Sequence, residues 1–215
     1  MRLLITGFDP FGNETINPAW EAVKLLPSKV EKVEVIKLQI PTVFGDSIDA
    51  ILKGVEEHKP DAVICVGQAG GRFDLTIERV AINLDDARIK DNRGNQPIDE
   101  PVYADGQDAY FTNLPLKAMV EEIKKINIPA SISNTAGTYV CNHVMYGVLH
   151  HIHTATSTSV KKGGFIHVPF IPEQVLDKKN TPFMNLNSIA KGLEAAIKGL
   201  SENDEDLKIS GGTEF

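Results

Sequence analysis

The segment Pro129–Asn142, Pro-Ala-Ser-Ile-Ser-Asn-Thr-Ala-Gly-Thr-Tyr-Val-Cys-Asn, reads as a short strand (Ala130–Ser133), a turn of small polar residues around Gly137, and the opening of a helix continued by Val144 and Val148. A strand that passes through a polar turn into a helix is the repeating unit of α/β folds. The unit sets Cys141 at the junction. Free backbone N–H groups and the positive end of the helix dipole favour an anion there, so the thiol is expected to lean toward thiolate. Most free cysteines are instead small buried hydrophobes, and position alone does not separate the two roles.

The same alternation extends to both sides of this segment. Arg2–Thr6 reads as a buried strand, and Asn17-Pro18 as an N-cap with proline at the first helical position. Val33–Ile40 is a second strand, and Ile48, Ile51, Leu52 and Val55 share one helical face. Asp61–Val66 is a near-continuous apolar run, expected for a central strand covered on both faces, with Cys65 as inert packing inside it. Pro115 opens a helix with Leu116, Met119, Val120 and Ile123 on one stripe; Gly163–Val168 is a strand stopped by Pro169; Ser188–Leu200 is the last long helix. The chain is therefore expected to form one catalytic domain over 1–215. Its architecture is a three-layer α/β/α sandwich around a largely parallel twisted sheet, with about 201–215 as an acidic, mobile tail.

Bulk properties narrow the partners. A net charge of −7 argues against nucleic acid, which needs a basic face. No apolar run approaches a membrane span, and the N-terminus turns glycine-rich too early for a signal peptide. Two cysteines give no disulfide framework, so free thiols in a reducing cytoplasm are expected.

In α/β folds ligands gather at the carboxyl ends of strands. Phe8 and Phe11 lie in a Gly/Pro loop just past the first strand, where aromatics either line a pocket or plug the core. Gln68 lies in a glycine-rich turn that matches no dinucleotide or P-loop pattern. Cys141 and His167 also fall at or past strand ends, so one rim brings these residues together. Glu78 lies inside an expected strand, Leu75–Leu84, sharing a face with Val80, Ile82 and Leu84 if that strand is regular. A carboxylate on an apolar face has to be paired, either structurally with an arginine or at a functional site. Asp85-Asp86 read as solvated or Arg-paired rather than as metal ligands, and His150, His151 and His153 as a frayed, solvated helix end.

A cysteine nucleophile needs a base, and the base an orienting partner. His143 lies two residues further along the helix from Cys141 and points away from it. His167 is the better base, with Glu78 as the acceptor that fixes its tautomer, a triad in the chain order Glu, Cys, His.

With these residues assembled, the sequence resembles the pyroglutamyl peptidase I family of cysteine peptidases over almost its whole length. The resemblance is carried by Gly7-Phe8-Asp9-Pro10-Phe11-Gly12, by Gly67–Arg72 running on through Glu78–Asn83, by Ala136–Asn142 and by Gly164–Pro169. Asn13 and Tyr139 depart from the usual glycine and phenylalanine of that family. The resemblance implies removal of N-terminal pyroglutamate from peptides with no metal or organic cofactor, a homotetramer, and Cys141, His167 and Glu78 as nucleophile, acid/base and orienting carboxylate. By the same similarity Phe8 and Phe11 flank the lactam ring. Gln68 is expected to meet lactam polar groups through backbone or side chain, and Arg88 to join the Cys141 N–H in an oxyanion site. A nucleoside phosphorylase and a non-catalytic binder of capped peptides are the competing readings; the first leaves Cys141 without a task.

Overall fold

Nine strands and five helices alternate through residues 1–212, the part of the 215-residue chain that the computed structural model describes. They are β1 (Arg2–Phe8), α1 (Pro18–Leu25), β2 (Lys29–Val30), β3 (Val33–Ile40), α2 (Asp46–His58), β4 (Ala62–Gln68), β5 (Leu75–Glu78), β6 (Val80–Ile82), β7 (Ala109–Phe111), α3 (Leu116–Lys125), β8 (Ala130–Ser133), α4 (Val140–Thr154), β9 (Lys162–Val168) and α5 (Leu186–Glu202). Seven strands form the main sheet in the order β2-β3-β1-β4-β9-β5-β8, while β6 and β7 pair separately as an antiparallel ribbon.

The main sheet is largely parallel, as expected, and alternation along its strands divides the core into two layers. Leu3, Ile5, Ile64, Val66, Ile77 and Ile166 point toward the side of α1, α3 and α5. Leu4, Val63, Cys65 and Phe165 point toward α2 and α4. Cys65 is fully buried, and burial pushes its thiol up to about 12, as befits packing. The Asn17 side chain caps α1 by accepting from Ala19 N at 3.1 Å, as its sequence predicts.

The sheet adds one feature to this reading and corrects another. First, β5 runs antiparallel to β9 and carries β8 with it, so these two strands point against β1, β3, β4 and β9. Secondly, Leu75–Leu84 is not one strand. Arg79 N donates to Ser133 O at 2.8 Å, while Arg79 O accepts from Thr112 N at 2.9 Å. The chain therefore changes partner at Arg79, from β8 to the segment after β7. Glu78 ends β5, two residues along from Thr76 on the same face, and shares no strand face with Val80, Ile82 or Leu84.

The C-terminal segment is tied down as far as the structure describes it. Asp206 Oδ1 accepts from Lys117 N and Ala118 N at the start of α3 (2.9 and 3.1 Å), and Gly211 O accepts from Arg79 Nη2 at 2.9 Å. The last three residues of the expected 201–215 tail lie outside the described residues. No described helix is long and apolar enough to cross a membrane.

Candidate active site

The site is built on one row across the sheet, in which Gly67 on β4 and Thr76 on β5 both stand opposite His167 on β9. Because β5 is reversed, Glu78 lies two residues deeper than Thr76 and its carboxylate reaches back to the imidazole. His167 Nδ1 donates to Glu78 Oε1 at 2.7 Å. Glu78 is fully buried and His167 is 4 % exposed. With the proton on Nδ1, the neutral ring keeps Nε2 as an acceptor.

Gly67 makes room for the thiol. A Cβ at Gly67 would stand 3.0 Å from Cys141 Sγ and 2.6 Å from Phe165 Cζ, so the sulfur occupies the space a side chain would take beside His167. Cys141 is the second residue of α4 and partly buried. Its helix start is pinned on the far side. Asn142 Oδ1 accepts from Ile82 N at 3.0 Å, and its amide donates to Ile82 O and Leu84 O. Since β8 runs against β4 and β9, the six residues 134–139 carry the chain back over the sheet to reach this point.

Electrostatics here depart from the sequence reading. Burial is the largest effect on Cys141, the Glu78 charge adds to it, and the opposing Arg72 guanidinium is weaker; the thiol is pushed up to about 12. Desolvation therefore works against the thiolate that the helix terminus favours. Burial also holds His167 below its ordinary value, with Arg72 acting in the same direction and Glu78 against it. Burial alone would raise the Glu78 carboxyl, but His167, Ser133 and Arg72 together keep it below the usual range. Burial thus favours the uncharged thiol and the uncharged imidazole, while the carboxylate behind them is held in its charged form by its partners.

The remaining expected residues differ in placement. Phe8 is only 2 % exposed and packs against Phe165, ring centroids 6.3 Å apart, so it forms floor rather than wall. Phe11 is partly exposed and lies 6.3 Å from the Tyr139 ring, which also meets Phe44 edge-on at 5.4 Å. The Gln68 side chain points to the sheet face opposite Gly67, where its Oε1 accepts from Gln174 Nε2 at 2.8 Å. Its backbone is better placed. Ala69 N donates to Val168 O, and the β1–β4 pairing stops at Gly7 opposite Val66. Alternation then turns the Gln68 N–H and C=O toward the β1 side, past the last paired residue. Arg88 is exposed, with no ion pair for its guanidinium among the described residues. Its loop nonetheless lies against the loop before Cys141, through Asp86 N to Thr138 O at 2.9 Å.

Three features escaped the sequence reading. Arg72 joins the Glu78 carboxylate, Nη1 to Oε1 at 2.7 Å. Asp85 is buried and accepts from His143 Nδ1 at 2.7 Å, while His143 Nε2 accepts from Gly45 N at 2.9 Å. His143 is thus fully engaged elsewhere, consistent with its rejection as a base. His150 is half-buried and stacks on Tyr103 at 4.2 Å, while His153 stacks on Tyr110 at 4.7 Å and stays exposed at the helix end, as expected. The need of Glu78 for a partner pointed to an arginine, but only its place after the glycine cluster singled out Arg72.

A family model described as pyroglutamyl peptidase matches residues 1–203. The chain belongs to the pyroglutamyl peptidase family. It is accordingly a hydrolase that acts as a peptidase. Among its relatives, pyrrolidone-carboxylate peptidases of Finegoldia magna and Clostridium perfringens are 60 % and 61 % identical over 212 residues, covering 99 % of this chain and of each relative. The crystal structure of Bacillus amyloliquefaciens pyroglutamyl peptidase I superposes with a TM-score of 0.92 at 49 % identity, covering 96 % of this chain and 99 % of that one. Pyrrolidone carboxyl peptidase from Thermococcus litoralis gives 0.91 at 38 % identity, covering 97 % and 99 %. Both structures thus share the fold described above.

Proposed function

We propose that this chain, acting as one catalytic unit, removes the N-terminal pyroglutamyl residue from peptides through an acyl-enzyme on Cys141. His167 is the acid/base and Glu78 the orienting carboxylate. The observation that carries the reading is the buried Glu78–His167 hydrogen bond at 2.7 Å beside a glycine whose missing side chain is replaced by Cys141 Sγ.

Since burial favours the uncharged thiol and imidazole, His167 Nε2 takes the thiol proton as the sulfur attacks the pyroglutamyl carbonyl. A C–S bond forms, and the carbonyl electrons move to oxygen. At the start of α4 the backbone N–H groups of Val140, Cys141 and Asn142 lie in the turn that lacks intrahelical acceptors, so the Cys141 N–H can meet the oxyanion. Arg88 is assigned to the same oxygen, brought in from the loop held at Thr138. Collapse breaks the C–N bond, and His167 gives its proton to the departing amine. Water then gives a proton to His167 as its oxygen bonds to the acyl carbon. The C–S bond breaks with its electrons going to sulfur, and His167 returns the proton to restore the thiol as pyroglutamate leaves. Glu78 stabilises the imidazolium in both halves without taking its proton.

Pyroglutamate is a neutral lactam with no free α-amine. Phe11, together with Tyr139 and the Phe8 floor, offers flat apolar contact for it, and the unpaired Gln68 backbone groups match a lactam N–H and C=O. Proline lacks the lactam oxygen and leaves a polar partner unmet, so discrimination of at least about a hundredfold is expected. The test is hydrolysis of a pyroglutamyl fluorogenic amide beside the prolyl analogue, by wild type and Cys141→Ala. Selective turnover that vanishes in the variant supports the reading; equal rates on both amides, or an unaffected variant, reject it.

A further inference from the structure

We propose that Arg72 is a positioning residue of this site, fixing Glu78 behind His167 with one nitrogen of its guanidinium and holding the loop that delivers Cys141 with the other. The proposal rests on the roles given above to these three residues. Arg72 lies in the turn between β4 and β5, outside both strands. Its Nη1 donates to Glu78 Oε1 at 2.7 Å and to Thr76 Oγ1, and its Nη2 donates to Thr135 O at 3.2 Å. Oε1 of Glu78 therefore accepts from Arg72 and His167 together, while the buried Oε2 has no hydrogen-bond partner among the described residues. A carboxylate bonded through one oxygen only is free to rotate unless a second donor fixes that oxygen, and Arg72 is that donor. A rigid planar fork suits two acceptors at a fixed angle, which a lysine cannot match.

The Thr135 contact is the second half of the device. Residues 134–139 return the chain over the sheet to Cys141, and Thr135 is early in that path. One side chain thereby sets the spacing between the carboxylate behind the imidazole and the backbone leading to the sulfur. The groups around His167 are Glu78 from β5, Arg72 from the β4–β5 turn and Cys141 from α4. Arg72 is the permanent cation among them, and it opposes protonation of the imidazole.

The test compares wild type, Arg72→Met and Arg72→Lys by steady-state kinetics on the pyroglutamyl amide and by NMR titration of the imidazole, with His167→Gln used for assignment. Arg72→Met is expected to lower kcat about tenfold or more with KM nearly unchanged, and to move the His167 titration midpoint to higher pH. Arg72→Lys keeps the charge and is expected to hold the midpoint near the wild-type value while still losing kcat. The NMR readout needs no turnover, so it reports on Arg72 even if the peptide chemistry is not the one proposed. An unchanged midpoint in folded Arg72→Met, or a loss seen only in KM, overturns the proposal. Should Arg72→Met not fold, a midpoint shifted as far in Arg72→Lys as in an Arg72→Gln variant overturns it equally.

Discussion

Gly67 and Cys141 share one space: the sulfur of Cys141 sits 3.0 Å from where a Gly67 Cβ would be, on the strand next to His167. The absence of a side chain on β4 is what lets a thiol from α4 descend to the level of an imidazole on β9. Gly67→Ala tests this directly. Its methyl would meet Phe165 Cζ at 2.6 Å as well as the sulfur, and overpacking of this kind costs about 1–3 kcal/mol. Thermal unfolding is expected to show that loss, while activity falls much further because the sulfur is displaced. A variant with normal kcat would show that the thiol does not need this position.

Glu78→Gln keeps the size of the side chain and removes its charge. His167 loses the group that supports its imidazolium, and a fall in kcat of about 10²–10⁴ with a small change in KM is expected. Retention of a third of wild-type kcat would take Glu78 out of the mechanism.

The pH profile follows from the directions of the shifts. His167 titrates below its ordinary 6.5 in the folded protein, so the active neutral ring persists into mildly acid solution and kcat/KM should fall only below that value. Cys141, pushed up to about 12, contributes no thiolate plateau near neutrality. Its alkylation by iodoacetamide should keep accelerating as the solution is made alkaline. A rate already flat between pH 5 and about 8 would mean a preformed ion pair instead.

Stability has the same sign at both groups. With its folded value depressed, His167 binds a proton more readily in the unfolded chain, so stability declines as pH falls through 6.5 toward the folded value. Glu78, also depressed, adds stability that is complete above 4.5 and lost as pH drops below it. Acid melts should therefore lose midpoint temperature in both windows, and His167→Gln should flatten the upper one.

His143→Ala strips the partner from buried Asp85 and from Gly45 N. Only Asp85 is buried, and an unsatisfied buried group costs about 1–3 kcal/mol, whereas exposed Gly45 can turn its N–H to water. A lower melting temperature with kcat reduced less than the Glu78→Gln variant is the expected pattern, checked by calorimetry and kinetics side by side.

Local patterns were legible where burial and capping act within a few residues. The cap at Asn17 follows from its residue type before Pro18, the β4 strand from an unbroken apolar run, and the stripe of α3 from helical periodicity. The split of Leu75–Leu84 was not, since two strands in different sheets share one composition and only the switch of partners at Arg79 divides them. Strand direction was equally hidden, because apolar alternation does not distinguish β5 running with β9 from β5 running against it. For the site, Glu78 and His167 were readable as a buried pair. The pull of desolvation against the thiolate was not, because burial of Cys141 depends on Phe165 and Gly67, which are distant in sequence.

The order of strands has an outcome for how the chain is made. Among the described residues β9 is the last strand to be translated, and it lies between β4 and β5 and links them in the main sheet. Until Lys162–Val168 has emerged from the ribosome, the β5–β8 pair can pack on α3 but has no strand to join it to the rest of the main sheet, and Glu78 has no imidazole to meet, 89 residues away. Closure of the sheet and completion of the catalytic pair are therefore one late event, and a nascent chain stopped before β9 should remain open to proteolysis at β5.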